Sequence, residues 1–474
     1  MRRISSAAVA LLPLALAACV MQPAPEIATP APDLPQAFFF QPDGGTGTAL
    51  AALMPEGDPA YRALSQAALA QGPSLAEAVA RIDAARAGAR RAGAERLPNI
   101  GADGDVTRNR INPAQFGQAG QQGFIPREQT SYGANITASW DPDIFGRLKA
   151  EERAALARID AASAQAQAVR LSLLAEIAAS ITDWRVLDAR AAAISEDMRA
   201  AQQLAALAKV RENAGIAPGF DRVRAEATAS SSQVRLAALD SERARLIGRL
   251  VTLTGENAAS VRAALATAAP VLAPAPAPAG LPSELLANRP DVAAAAANLA
   301  ASDADLAAAA RARFPRITLS GVIGLLAFDP EDFFNDSIIG TLTAGIAGPL
   351  LDFGRVGAGI DLAAADKRAA FAAYRGAVFT ALGDAEAAYG VVAAADAEAQ
   401  LSVNERDQLT RAASLAETRY RAGLASFLEV LEARRAADSS GERAAAALGR
   451  AARARIVLWQ ALGGEVMASA ATVD

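Results

Sequence analysis

From Arg147 to Ala214 the chain runs for 68 residues without a Gly or a Pro. As one helix, at 1.5 Å per residue, that tract is about 100 Å long. A helix of that length cannot be wrapped inside one ordinary globular core. It needs partners of similar length lying alongside it. A second tract without Pro begins at Leu350. Its stripe Phe371, Tyr374, Val378, Ala381, Ala385, Ala388, Val392, Ala395 and Ala399 alternates spacings of three and four. That is a heptad-type seam, and it predicts coiled-coil packing. The 52% hydrophobic share, much of it alanine, against only 5% aromatics suits close helix packing through small side chains rather than a core of large rings. Gly376, Gly383 and Gly390 weaken the second helix slightly and are candidate bends.

The chain repeats itself. Phe145-Gly146-Arg147 recurs as Phe353-Gly354-Arg355 at an offset of 208. The same offset carries Arg211 onto Arg419, Gly215 onto Gly423, Asp221 onto Glu429 and Gly255 onto Gly463. Leu97-Pro98-Asn99-Ile100 matches Phe314-Pro315-Arg316-Ile317 at an offset of 217, so the first copy holds nine extra residues, within a Gly-, Gln- and Asn-rich stretch at 109–129 that reads as an exposed loop. Each copy carries two strand-like segments. In Ser131 to Trp140, Tyr132, Ala134, Ile136, Ala138 and Trp140 alternate with Ser131, Gly133, Asn135, Thr137 and Ser139. Period two makes one face apolar and one polar. Ile100 to Val106, Thr318 to Ile323 and Thr341 to Ile346 supply the other three. One such segment alone reads as an edge strand of a soluble sheet. Four at matched places read as the wall of a membrane barrel with a wet lumen.

The long tracts break at Asn213 to Gly219 and at Arg421 to Leu424, where Gly suits a C-cap and Pro218 cannot continue a helix. Helix resumes at Phe220 to about Leu253 and Ser426 to about Leu462, and residues 74–96 and 287–312 are helical in pattern. Two stacked short helices thus match one long one, with the Pro-rich stretch 268–282 between them. The chain divides into a signal peptide (1–18), a tether (19–59), a first repeat (60–265), a Pro-rich linker (266–286), a second repeat (287–466) and a C-terminal tail (467–474).

Residues 1–19 read MRRISSAAVALLPLALAAC, a basic start, an apolar stretch and small residues before Cys19. This is a bacterial export signal. Leu16-Ala17-Ala18-Cys19 resembles a lipobox, which implies cleavage before Cys19 and a diacylglycerol on its thiol. The alternative is an ordinary signal peptide with an incidental Cys. Val20 rather than Asp follows, which implies the outer membrane. The tether opens with QPAPEIATPAPDLP and is read as extended. Lys+Arg 46 against Asp+Glu 51 gives a net charge of −5, so nucleic acid is not an expected partner. No His and one Cys exclude Cys/His zinc sites, Ser-His-Asp catalysis and an intramolecular disulfide. No cofactor or metal site and no enzymatic activity are expected.

Four strands cannot close a barrel, and an open sheet in hydrocarbon leaves edge groups unpaired at several kcal/mol each. The strands must be pooled between chains. Three chains give twelve strands and twelve helical columns, so the expected assembly is a cyclic homotrimer. The stretches WDPDIFGR (Trp140 to Arg147), LPSELLANRPDVAAAAANLAASDADLAAAARARFPRITLSG (Leu281 to Gly321), PLLDFGR (Pro349 to Arg355), RYRAGLASFLEVLEARR (Arg419 to Arg435) and ALGG (Ala461 to Gly464) resemble TolC-type outer-membrane factors, in the lipoprotein branch associated with resistance-nodulation-division efflux. The resemblance covers nearly all of the mature chain. It implies a mainly α fold with membrane β: a trimeric twelve-stranded outer-membrane barrel on a twelve-helix periplasmic barrel. It also implies a conduit for drugs or other small solutes, docked on a periplasmic adaptor and through it on an inner-membrane transporter. In that family acidic rings close the periplasmic end, which here fall on Glu429 and Glu432. A polar link between repeat tips falls on Asp221 and Tyr420. The turns Ala214-Gly215 and Ala422-Gly423 would meet the adaptor. The family's basic residue after the tip Gly is absent, since Ala425 stands there. A duct for type I protein secretion is mechanically the same tube. A coiled-coil surface lipoprotein is the reading of another class, and the matched strands count against it.

Overall fold

In a computed structural model, residues 25–42, 49–110, 112, 128–271, 275–279, 282–335 and 337–464 are described. Cys19, the signal peptide, most of the 109–129 insertion and the tail 467–474 lie outside them. The elements in order are α1 (Pro59–Gln71), α2 (Pro73–Ala94), β1 (Asn99–Arg110), β2 (Glu128–Trp140), α3 (Arg147–Asn213), α4 (Gly219–Thr254), α5 (Ala258–Leu265), α6 (Pro282–Asn288), α7 (Pro290–Arg311), β3 (Arg316–Ala327), β4 (Ile338–Ala347), α8 (Arg355–Arg421) and α9 (Phe427–Ala461). Both long tracts are single helices of 67 residues, unbroken at Gly376, Gly383 and Gly390.

The chain forms two compact units. The first comprises Asp83–Ala161 and Ala296–Ala373 with residues 25–30. It holds one antiparallel sheet in the order β1-β2-β3-β4. The duplicated Phe-Gly-Arg segments are its strand-to-helix turns. Gly146 (φ +76°) and Gly354 (φ +88°) take the left-handed conformation that only Gly adopts without cost. A carboxylate then caps each long helix. Asp143 accepts from the Leu148 and Lys149 amides at 3.0 and 2.8 Å, and Asp352 accepts from the Val356 amide at 2.8 Å. Phe145 and Phe314 stack beneath, 4.9 Å apart.

The second unit comprises, among the described residues, those of Ala31–Ile82 and Ala162–Ala295 and residues 374–464. The heptad seam is at its centre: Val378, Ala381, Ala385, Ala388, Val392, Ala395 and Ala399 are buried, against Ile177, Ile181, Leu458 and Trp459 in one cluster. Part of α8 is apolar enough by composition to cross a membrane, with a mean hydropathy of 1.2. The buried seam accounts for part of that apolarity, since 39% of the stretch is buried. The repeats close in the same way. Gly255 and Gly463 end the return helices in left-handed conformations (φ +73° and +87°), and each abuts the last residue of a short helix, α1 or α6. A Cβ on Gly255 would lie 3.2 Å from the Gln71 carbonyl oxygen, and one on Gly463 would lie 2.8 Å from that of Asn288.

The tether is not extended throughout. Phe38 is buried against Tyr389, with ring centroids 5.5 Å apart. The Phe39 amide donates to Glu386 at 2.8 Å, and the Phe40 ring lies 3.4 Å from where a Cβ on Gly390 would sit. Leu53 and Met54 are buried too, and Asp58 caps α1 through the Ala60 amide at 2.8 Å. Phe38 supplies apolar surface that a solvated tether would have to expose, so this part docks through it, while Phe39 and Phe40 stay exposed. The Pro-rich linker docks beside it: the Tyr389 hydroxyl donates to the Pro278 carbonyl at 2.9 Å and Arg455 to that of Ala275 at 2.7 Å.

Candidate functional site

The sheet sorts its side chains by polarity over most of its height, with Val322, Leu326 and Ile339 the large apolar exceptions on the polar face and Arg108, Arg110, Thr130 and Glu128 the polar ones at one end of the apolar face. The register pairs Ile100 with Ala138, Ala102 with Ile136, and Val106 with Tyr132. It continues through Ile136 to Ile323, then Gly321 to Leu342 and Ile317 to Ile346. All of these share one face. It is apolar and open: Ile100 is 70% exposed, Ile338 77% and Leu342 86%. A soluble sheet buries such a face against a second layer. The opposite face carries Asp103, Asp105, Thr107, Asn135, Thr137, Thr318, Ser320 and Thr343. Here Asn135 donates to Asp103 at 3.0 Å and Thr107 to Asp105 at 2.9 Å. Strands of 10–13 residues suit a tilted crossing of a bilayer, which takes about 9–11. Among the described residues β1 and β4 each pair on one side only, so the sheet has two open edges. Because four strands alternate in direction, β4 of one copy would run antiparallel to β1 of the next.

The helix ends nearest the predicted site residues lie in the second unit. Ala214, Gly215, Ala422 and Gly423 are exposed in two matched turns. Gly215 (φ +71°) and Gly423 (φ +77°) take the left-handed cap position. The Ile216 amide donates to the Arg211 carbonyl at 3.0 Å and the Leu424 amide to that of Arg419 at 2.8 Å, the six-to-one bond of a Schellman cap. Ile216 and Leu424, just beyond, are exposed apolar side chains.

Glu429 and Glu432 are both exposed on the first turns of α9. Glu429 already has a structural bond: its carboxylate accepts from the Ser426 amide at 3.0 Å while the Ser426 hydroxyl accepts from the Glu429 amide at 3.2 Å. That capping box was legible in the Ser-x-x-Glu spacing. Glu432 has no such bond among the described residues.

Asp221 and Tyr420 are not bonded to each other within the chain. Tyr420 is buried, and its hydroxyl oxygen has no partner among the described residues. Its ring is held instead by Arg211, whose guanidinium lies 4.7 Å from the centroid, and by Phe427, edge-on at 6.0 Å. Arg211 also donates to the Tyr420 carbonyl at 3.2 Å. Sequence reasoning used Arg211 as an alignment marker and missed this role. Around it, Arg222 bridges Glu212 and Glu226 at 2.9 Å, and Glu417 takes both Arg421 and Arg434. No group of metal-ligating side chains occurs among the described residues.

Comparison with known proteins fits this geometry. Residues 64–256 and 281–464 match the family model described as outer membrane efflux protein. The pyoverdine export outer membrane protein OpmQ of Pseudomonas putida KT2440 is 32% identical over 398 residues, 84% of each chain. Outer membrane protein OprJ of Pseudomonas aeruginosa is 30% identical over 387 residues, 80% of this chain and 78% of that one. The solved outer-membrane channel OprN superposes with a TM-score of 0.82 at 25% identity, covering 94% of this chain and 99% of that one.

Proposed function

The chain belongs to the outer membrane efflux protein family, and on that premise we propose how one subunit becomes a working conduit. It is an outer-membrane efflux channel of the tripartite-pump type with a TolC-like fold, and its relatives are channel proteins. The finer reading is a homotrimer in which β1 of each copy pairs with β4 of the next, closing a twelve-stranded barrel around the Asp103/Asp105 face. One observation carries this: an exposed sheet face, apolar except for Arg108, Arg110, Thr130 and Glu128 at one end, bounded by two edges that are unpaired among the described residues. In hydrocarbon those edges need partners, and only sister copies supply matching strands. The Ala-Gly turns would dock on a periplasmic adaptor, which couples the channel to an inner-membrane transporter of the resistance-nodulation-division type. Drugs or other small organic solutes would pass, as the pyoverdine export named for OpmQ suggests. Glu429 and Glu432 would ring the periplasmic mouth as three carboxylates each. An Asp221–Tyr420 link would have to cross a subunit seam, since none exists within the chain. Cys19 would carry the N-acyl diacylglycerol anchor.

Chemical cross-linking in native outer membranes, followed by planar-bilayer conductance of the purified species, tests the reading. A trimer that conducts is expected. A population of monomers without conductance overturns it. Labelling with a palmitate analogue, lost in Cys19→Ser, tests the anchor.

A further inference from the structure

Midway along the second unit's helices, α3, α4 and α9 meet around charges that the conduit reading does not use. Leu187 and Ile194 of α3 pack on Leu239 of α4 as a buried cluster. Gly441 of α9 closes the junction, since a Cβ there would lie 4.0 Å from that of Ala193. Beside it is Asp197 of α3, whose side chain is only 13% exposed. Gly449 meets Val186 and Gly441 meets Ala193, so α3 and α9 run antiparallel here, and one turn further on, Asp197 and Asp438 of α9 come to the same level and face each other. The Asp197 Oδ2 is buried and receives no donor among the described residues. Arg235 of α4 is the nearest cation, at 3.9 Å, beyond hydrogen-bond distance. That arginine is committed to Glu442 of α9 and to the Ser232 hydroxyl. Arg190 of α3 is shared between Glu242 of α4 and Glu442 of α9, at 3.5 Å each. The junction therefore holds four carboxyls (Asp197, Asp438, Glu242, Glu442) and two guanidiniums (Arg190, Arg235).

Two carboxylates are acceptors only, so they can bond each other only through a proton. We propose that Asp197 and Asp438 share one proton as a clasp between α3 and α9, closed at mildly acidic pH and released as the surroundings turn alkaline. Burial, then Asp438, push the Asp197 carboxyl up to about 8, and Arg235 offsets this only in part. The sign follows. The folded state holds a proton that the unfolded chain has already lost, so stability falls as pH rises from the ordinary Asp range toward about 8 and then levels. Loss of the proton leaves two like charges between helices in a confined site. The clasp lies eleven residues, about 16 Å, along α9 from its first residue, Phe427. Its release would loosen α9 from α3 without touching the tip contacts. The clasp rests on this juxtaposition and not on the conduit reading; only its consequence for opening rests on that reading.

Infrared titration of the full-length protein in detergent follows the C=O stretch of a protonated carboxyl, and it decides the clasp whether or not the protein conducts. A band titrating out near pH 8 is expected in the parent. It should vanish in Asp197→Asn and move to lower pH in Asp438→Asn. The thermal midpoint should fall from about pH 6 to about pH 9 in the parent and stay flat in Asp197→Asn. Absence of the band from the parent, its survival in Asp197→Asn, or an unchanged pH slope in that variant would each overturn the proposal. Should Asp197→Asn fail to fold, the parent titration and Asp438→Asn still decide.

Discussion

Arg211 is the residue through which the first repeat holds the tip of the second. Its guanidinium packs on the Tyr420 ring at 4.7 Å and donates to the Tyr420 carbonyl at 3.2 Å. A half-desolvated cation–π contact contributes about 1 kcal/mol. A hydrogen bond from a charged donor adds about 1.5–3 kcal/mol, the lower end suiting a 3.2 Å bond. Against this, Arg211 Nε is buried without a partner among the described residues, which costs about 1 kcal/mol. The net is about 1.5 kcal/mol per chain, or about 12-fold in an equilibrium that must break the contact. Arg211→Ala should therefore raise the open probability of reconstituted channels by about that factor. Tyr420→Phe keeps the ring that Arg211 holds and removes only a hydroxyl with no partner among the described residues of its own chain, so any gain in opening it causes reports the Asp221 link across the seam and not the Arg211 contact. Single-channel recordings of both variants at one salt concentration make the comparison. An Arg211→Ala channel as closed as the parent refutes the reasoning. The two effects should add in the double variant, because the ring and carbonyl that Arg211 holds are both kept in Tyr420→Phe.

Other substitutions have equally definite outcomes. Glu429→Gln keeps the capping box, because Gln serves at that position, so any rise in conductance or loss of cation preference reports charge alone; Glu429→Ala would mix it with a cap loss of about 1 kcal/mol. In buried Gly449, a Cβ would lie 2.4 Å from Val186 Cγ2. Gly449→Ala should lower the thermal stability by about 1–2 kcal/mol despite better helix propensity, and Val186→Ala in the same chain should restore most of it. Asp58 is held by Arg185 at 2.8 and 3.0 Å, with both side chains buried. Burial pushes its carboxyl up, but Arg185 and the Ala60 amide outweigh that and hold it below the usual range. This stability is present above the ordinary Asp range and is lost as pH falls through the lowered value, below about pH 4. Acid unfolding monitored by circular dichroism should be less steep in Asp58→Asn, and an unchanged acid limb would remove the assignment.

The features that were legible from sequence are those set by local rules repeated many times. The absence of Gly and Pro over 68 residues fixed α3, and a period of two over ten residues fixed β2 and its faces. The seam from Val378 to Ala399 needed only the spacing of small residues. Helix ends were legible from Gly215, Gly423 and Ser426, because capping is a local property. The Phe38 docking was missed because its partner Tyr389 is 351 residues away, and the Pro-rich flanks pointed to an extended chain. α1, α5 and α6 were missed as separate elements because each is short and takes its stability from packing. At the tip, spacing placed Glu429 correctly on the first turn of α9 but could not show that its carboxylate is occupied by the Ser426 amide. The Asp197–Asp438 meeting was invisible for the same reason as Phe38: nothing in either helix alone marks a face that a third helix will bury.

The two repeats do not divide the work equally, and the buried arginines show where they diverge. Arg185, Arg289 and Arg455 are each almost fully buried, yet the offset of 208 carries Arg185 onto Ala393 and Arg455 back onto Ile247. At the offset of 217, Arg289 faces Gly72. None of the three is therefore part of the duplicated frame. Each pairs with an acid and also donates to a backbone carbonyl where chain leaves a helix or passes through the linker: Leu265, Ala461 and Ala275 in turn. Proline segments lack amide donors and leave carbonyls that neither helix nor sheet will satisfy. An arginine supplies several donors in one plane and can serve such a carbonyl while remaining paired. The duplicated helices thus make the frame. The three unduplicated arginines hold the segments that duplication could not supply, namely the entry to α1, the linker, and the join between the end of α9 and the start of α7.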